Sequence, residues 1–347
     1  MTQLTLPMRP EEATKVLLRK LPSRRMRDVL EKRFGLKGGK KKTLEAIGRE
    51  YKITRERVRQ IEMDALKLLA KPESMREVEP IFASLEDHFR NNGEVVAEHH
   101  LFDNLSNSRL APHVSFLLTV SKSFIEFPES SSHHRRWAIS KNTPQSVEKV
   151  LERTAEDLET EGKPVPFESL QAMVAKHTTQ FLGSTPSEHV RDAYIKTSKL
   201  IRMNPYGEYG LISWPTINPR GVKDKAYLVL SKSGKPLHFR EVAGEINKMN
   251  WSKRKAHPQT VHNELIKDNR FVLVGRGLYG LKEWGYEPGT VRDILVSILK
   301  KAGKPLRKDE VMKLVLEKRF VKPPTVLLNL QDRTLFKKMD EDRYTLV

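Results

Sequence analysis

Lys42-Thr-Leu-Glu-Ala-Ile-Gly-Arg-Glu-Tyr-Lys-Ile-Thr-Arg-Glu-Arg-Val-Arg-Gln-Ile-Glu-Met-Asp-Ala-Leu-Lys-Leu-Leu69 reads as two short amphipathic helices joined by a tight turn. Leu44 and Ile47 share one face of the first helix, while Val58, Ile61, Ala65, Leu66 and Leu69 recur at helical spacing in the second. The turn is expected from Gly48 to Ile53. Thr54 stands where an N-cap belongs, and Glu56 in the first turn suits the helix dipole. Ile53 and Val58 occupy the two positions of a hydrophobic staple, which fixes the angle at which the chain enters the second helix. Burying the apolar stripe leaves Arg55, Glu56, Arg57, Arg59 and Gln60 on the open side of that helix start.

A helix-turn-helix requires those features. The second helix of such a pair enters the major groove, where its N-terminal residues reach base edges. Arg matches the two acceptors of guanine, Glu accepts from cytosine and Gln pairs with adenine. Guanidiniums at alternate positions can also hold phosphates. A helical hairpin with a charged, solvated face is the plain alternative. The cap, the staple and the polar pattern together favour DNA.

Arg27-Asp-Val-Leu-Glu-Lys-Arg-Phe-Gly-Leu36, Thr43-Leu-Glu-Ala-Ile-Gly48 and Ile53-Thr-Arg-Glu-Arg-Val-Arg-Gln-Ile-Glu62 resemble region four of bacterial housekeeping-type sigma factors, the domain that reads the upstream promoter element. The likeness covers about residues 21–69. It implies that Arg55, Glu56 and Gln60 face bases while Arg57 and Arg59 hold the DNA backbone. Thr54 and Lys42, the latter closing the basic loop that starts at Gly35, are expected at phosphates too; a solvated loop is the other use of such a run. Beyond Gln60 the chain departs from the family, with Glu62-Met-Asp64 where a basic helix end is usual.

Composition bounds the rest. At 347 residues with 38% hydrophobic, the chain is long enough for several packed domains and is not disordered as a whole. The net charge of +19 points to a polyanionic partner, with nucleic acid the default. That charge is uneven: residues 1–72 carry 20 Lys+Arg against 9 Asp+Glu, or +11, whereas residues 73–143 carry 7 against 10, or −3. The segment after the helix pair is therefore no general DNA-sticking surface. Without cysteine there is no disulfide, thiol catalysis or Cys-type zinc finger. No apolar run approaches the ~20 residues of a membrane span, and the N-terminus lacks signal-peptide character. A cytoplasmic, nucleoid-associated protein with no membrane contact is expected.

Behind the helix pair lies a weak repeat of about seventy residues. Gly162-Lys-Pro-Val165, Gly234-Lys-Pro-Leu237 and Gly303-Lys-Pro-Leu306 mark it, with a fainter copy at Gly93-Glu-Val-Val96. Each follows an amphipathic helix (Val78 to Asn91, Ser146 to Thr160, Val222 to Lys232, Val291 to Lys301) and precedes one or two more helical patterns. Each unit closes on two short strand-like runs: Phe124–Phe127 with Arg136–Ile139, Leu200–Met203 with Tyr209–Ile212, Phe271–Val274 with Leu278–Leu281, and Leu335–Lys338 with Arg343–Leu346. Helix, strand-like turn, helices and hairpin is the order of a winged helix. Trp137, Trp214 and Trp284 fall at or just after the last strand, where a large ring can cap a small core. The expected fold is mainly α: a helix-turn-helix domain over 1–72, then winged-helix units over 73–143, 144–217, 218–287 and 288–347.

The third unit is the clearest. Asp224 to Ala243, Thr260 to Leu265 and Phe271 to Trp284 resemble the HARE-HTH module, a winged-helix family found in the delta subunit of some bacterial RNA polymerases, in chromatin proteins and in restriction systems. The resemblance implies a nucleic-acid or transcription-machinery setting and no catalysis. Lys253-Arg-Lys255, just before the expected recognition helix, is a phosphate-contact candidate; a solvated basic loop is the other reading.

Other signals carry less. Gly275-Arg-Gly-Leu-Tyr-Gly280 fits G-x-G-x-x-G, but strand and turn follow it instead of a helix, so its glycines are read as hairpin residues needing positive φ. His99-His100 and His133-His134 have no ligand partners at metal-binding spacing and are read as surface or loop histidines. No Gly-x-Ser-x-Gly elbow or phosphate-binding Gly-Lys-Ser/Thr loop occurs. No enzyme, cofactor, metal or small-molecule substrate is expected. The reading is a sigma-like DNA-binding transcription factor whose partners are double-stranded DNA and RNA polymerase core. The alternative is a polymerase- or protein-binding module without sequence readout; a true sigma factor is less favoured, because no aromatic cluster suited to promoter melting follows residue 72.

Overall fold

Pro10 at the first helical position opens α1 (Pro10–Arg19). Ser23 caps α2 (Arg24–Phe34), its hydroxyl accepting from the Arg25 amide, and Gly35 ends that helix at φ 74°. Thr43 and Thr54 cap α3 (Leu44–Tyr51) and α4 (Arg55–Leu69), each hydroxyl accepting from an amide three residues on at 3.1 Å. The staple forms as expected, Ile53 resting on the cluster of Val29, Ile47, Val58 and Ile61. The turn is shorter than the sequence suggests. α3 runs through Gly48 to Tyr51, and only Lys52, at φ 53°, and Ile53 connect the helices. Gly48 serves close approach: a Cβ there would lie 2.8 Å from the Ile53 carbonyl oxygen.

The computed structural model describes residues 4–105, 107–249 and 254–347. The chain divides into two units, one extending to Met203 and including Gly207–Ile212, the other comprising Asn204–Tyr206 and Ser213–Val347. After the short α5 (Pro72–Met75), the first unit continues with α6 (Glu79–Asn91), β1 (Val95–Ala97), α7 (Glu98–Asp103), α8 (Ala111–Val120), β2 (Ile125–Phe127) and β3 (Arg136–Ala138). The strands form an antiparallel sheet in the order β1-β3-β2, the winged-helix arrangement. Trp137 on β3 lies in the core, 2% exposed.

α8 is apolar nearly all round, with His113, Val114, Ser115, Phe116, Leu117, Leu118 and Val120 buried; a helix of that kind is buried on more than one side. It contacts its own sheet at β2 and also α1, α2 and α4. Phe116 meets Phe34 edge-on at 5.2 Å. One apolar cluster consequently crosses residue 72, joining Leu30, Phe34, Ala65 and Leu69 to Leu85, Phe89, Leu117 and Trp137.

α9 (Thr143–Glu161), α10 (Phe167–Leu182), α11 (Glu188–Ile195) and the hairpin β4 (Ile201–Met203) and β5 (Tyr209–Leu211) complete this unit, with Val165 bridging Tyr209. α11 leans on β1, and the Tyr194 hydroxyl donates to the Gly93 carbonyl at 3.1 Å. The histidine pairs are not at the surface as expected. His100 and His133 are 6% and 4% exposed, and His99 and His134 bring their rings to 4.6 Å. His133 is buried because the β2–β3 wing bridges Ser198, a pairing that adjacency in sequence does not reveal.

The second unit holds two further repeats. α12 (Val222–Ser233), β6 (Leu237–His238), α13 (Phe239–Lys248), α14 (Pro258–Lys267), β7 (Phe271–Gly275) and β8 (Leu278–Leu281) form the first, with strand order β6-β8-β7. α15 (Val291–Ala302), β9 (Leu306–Arg307), α16 (Lys308–Lys318), α17 (Pro323–Leu330), β10 (Phe336–Met339) and β11 (Arg343–Leu346) form the second, ordered β10-β11-β9. The Gly-Lys-Pro marks lead into β6 and β9 as the repeat predicts. Gly275 to Gly280 make the β7–β8 hairpin, but Gly277 alone of the three sits at positive φ; Gly280 instead clears the ring of Tyr286.

Candidate nucleic-acid interface

Val58, Ile61, Ala65 and Leu69 turn the apolar stripe of α4 inward, and Thr54, Arg55, Glu56, Arg57, Arg59 and Gln60 are all exposed at its start. The opposite face of the helix pair is occupied, since Ala65 and Leu69 lie in the cluster that α8 completes. The polar residues are mutually paired. Arg59 grips Glu56 with two hydrogen bonds of 2.7 and 2.9 Å, which hold the Glu56 carboxyl below its ordinary range. Arg57 donates to the Gln60 side-chain oxygen at 3.1 Å. Arg55 makes no side-chain hydrogen bond or ion pair among the described residues. Because the pairs are solvated, exchanging them for a base edge or a phosphate costs little.

Lys42 differs from the other expected phosphate contacts. It is half-buried and ion-paired with Glu50, whose other oxygen takes Lys32 at 2.9 Å. Its carbonyl accepts from Arg33 at 3.2 Å. Lys253 lies outside the described residues; Arg254 and Lys255 are exposed just before α14. The sequence reading missed Arg24 and Arg25. Both are exposed in the first turn of α2, where the helix dipole disfavours cations. With Asp28 and Tyr51 they line a cavity, and Arg25 and Lys32 stand 5.0 and 4.7 Å from the Tyr51 ring centre. Basic residues with no acidic partner in a helix's first turn were the available signal.

Among the described residues no group of His, Asp or Glu could hold a metal ion, and no helix is long and apolar enough to cross a membrane.

Residues 17–71 match the family described as Sigma-70, region 4, and residues 220–284 match the HARE-HTH family, described as the helix-turn-helix domain of ASXL and restriction endonuclease proteins. Over 50 residues the chain is 56% identical to the RNA polymerase sigma factor SigA of Nostoc sp., covering 14% of this chain and 13% of that protein. Over 65 residues it is 46% identical to SigA of Clostridium acetobutylicum, covering 19% and 17%. The SigA of Lactococcus lactis subsp. cremoris is 52% identical over 48 residues, 14% and 13%. The likeness to these relatives thus spans less than a fifth of their length. The chain joins a segment of sigma-70 region 4 type, which carries α4, to a HARE-HTH segment that runs from α12 to the end of β8.

Proposed function

We propose that the chain is a DNA-binding transcription factor that reads promoter-type duplex DNA through α4 and contacts RNA polymerase. The observation that carries the reading is the start of α4, polar and exposed while the reverse of the helix pair is built into a core. Arg55, Glu56 and Gln60 take base edges; Thr54, Arg57 and Arg59 take phosphates, with Lys42 joining them once it leaves Glu50. Contact with polymerase is supported by the names of the relatives, whose likeness is confined to this segment. Such a protein works in the cytoplasm at the nucleoid. The alternative, docking a protein through the helix pair without reading sequence, requires an open apolar face. The face formed by Leu30, Phe34, Ala65 and Leu69 is covered by α8.

Titrating a labelled duplex at several salt concentrations tests this. Affinity is expected to fall steeply with salt, and Arg59→Ala to weaken binding to every sequence while flattening the log–log slope by about one charge. Absence of salt-dependent affinity for any duplex contradicts it.

A further inference from the structure

A winged-helix unit reads a duplex through an exposed polar helix face, and that requirement sorts the four repeats. α8 has no such face, being buried between its own sheet and the helix-turn-helix. α11 buries Val190, Ala193, Tyr194 and Ile195, and its Arg191 is held by Gln171 and the Pro186 carbonyl, each at 2.6 Å. The wing between β2 and β3 is tied to Ser198 and Lys199. α17 presents Leu328, 68% exposed, and the β10–β11 turn of its unit is acidic, Asp340-Glu341-Asp342. Charge follows the same division. Residues 73–143 carry 7 Lys+Arg against 10 Asp+Glu (−3) and residues 144–217 carry 8 against 10 (−2), whereas residues 218–287 carry 14 against 7 (+7).

α14 stands apart. Val261 and Leu265 face the core, leaving Gln259, Thr260, Asn263 and Lys267 exposed. The Gln259 amide donates to the Asn263 side-chain oxygen at 3.4 Å, which puts the two one turn apart on one face. Lys255 is exposed before the helix, and Arg276 is exposed in the β7–β8 wing. That wing is anchored, the Phe239 amide donating to the Gly277 carbonyl at 2.9 Å. The neighbouring carboxylate of Asp268 is taken by Arg270 at 2.7 Å.

We infer that the third repeat is a second duplex-DNA contact of this chain. Gln259, Thr260 and Asn263 meet base edges, and Lys255, Lys267 and Arg276 meet phosphates. Residues 73–217 are a scaffold that touches no DNA. The ligand class rests on the reading of α4; the placement rests on exposure and charge alone.

The test uses the full chain and a labelled duplex of mixed sequence, with circular dichroism to confirm that variants of these exposed residues fold. Arg55→Ala/Arg57→Ala/Arg59→Ala silences α4, and Lys255→Ala/Lys267→Ala/Arg276→Ala silences α14. Each is expected to lose about tenfold or more in affinity at low salt, the α14 variant with a log–log salt slope shallower by about 2 to 3. The α4 variant is expected to keep salt-dependent binding, which the combined variant lacks. If the α14 variant binds like the parent at every salt concentration, the second contact is overturned and the α4 reading stands. If the α4 variant binds like the parent while the α14 variant does not, the α4 reading fails and the second contact stands. If the parent binds no duplex, both fall.

Discussion

Arg59 and Glu56 meet through a bidentate pair, and Arg57 and Gln60 through a single hydrogen bond, so DNA must exchange these partners to use the residues. Arg55 needs no such exchange, which makes it the most direct probe of sequence readout. Arg55→Ala is expected to lower discrimination at one base pair by ~1–3 kcal/mol, measured as the ratio of affinities for matched and mismatched duplexes. Thr54→Ala removes the cap that orders the reading turn and should cost ~1 kcal/mol of stability, seen as a lower denaturant midpoint. Gly93 is the sharpest structural test. It sits at φ 78°, where a Cβ would fall 2.4 Å from Val190 and 2.5 Å from the Tyr194 hydroxyl. Gly93→Ala should destabilise the first unit by roughly 1–3 kcal/mol in a thermal melt.

At the scale of elements, α4 was legible in sequence because its determinants are local: a threonine cap, a staple and a 3.6-residue stripe. The turn before it was not, because Gly48 reads as a turn residue when its role is to admit the Ile53 carbonyl beside α3. The hairpins of all four repeats were visible as paired β-branched and aromatic runs. The double-sided burial of α8 was present in Ala111–Val120 as an apolar surface without a polar face, but what covers its far side is non-local. The same holds for the histidines between the first two repeats. Burial lowers His100 and His133 to about 4, and holds His88, His99 and His134 below their ordinary value as well. Once unfolded these side chains take a proton near pH 6.5, whereas the folded His100 and His133 resist it until about 4. Their contribution is therefore complete above pH 6.5 and is lost progressively as pH falls toward 4. The urea midpoint should decline over that window, and a flat profile would mean that these rings are solvated.

Across the whole molecule, formal charge and burial divide the chain in the same way. The helix-turn-helix segment at +11 and the third repeat at +7 carry exposed polar helices, while the intervening repeats, at −3 and −2, have theirs built into packing. Tandem winged-helix units thus need not all be readers, and net charge per repeat separates the two uses on sequence alone. Duplex readout by α4 remains the central claim, and selection of bound sequences from a random duplex pool tests it most directly, run in parallel with the parent chain and Arg55→Ala. The parent should enrich a short motif in which one position relaxes on loss of Arg55. Enrichment of no motif, or of one unchanged by the substitution, would contradict it.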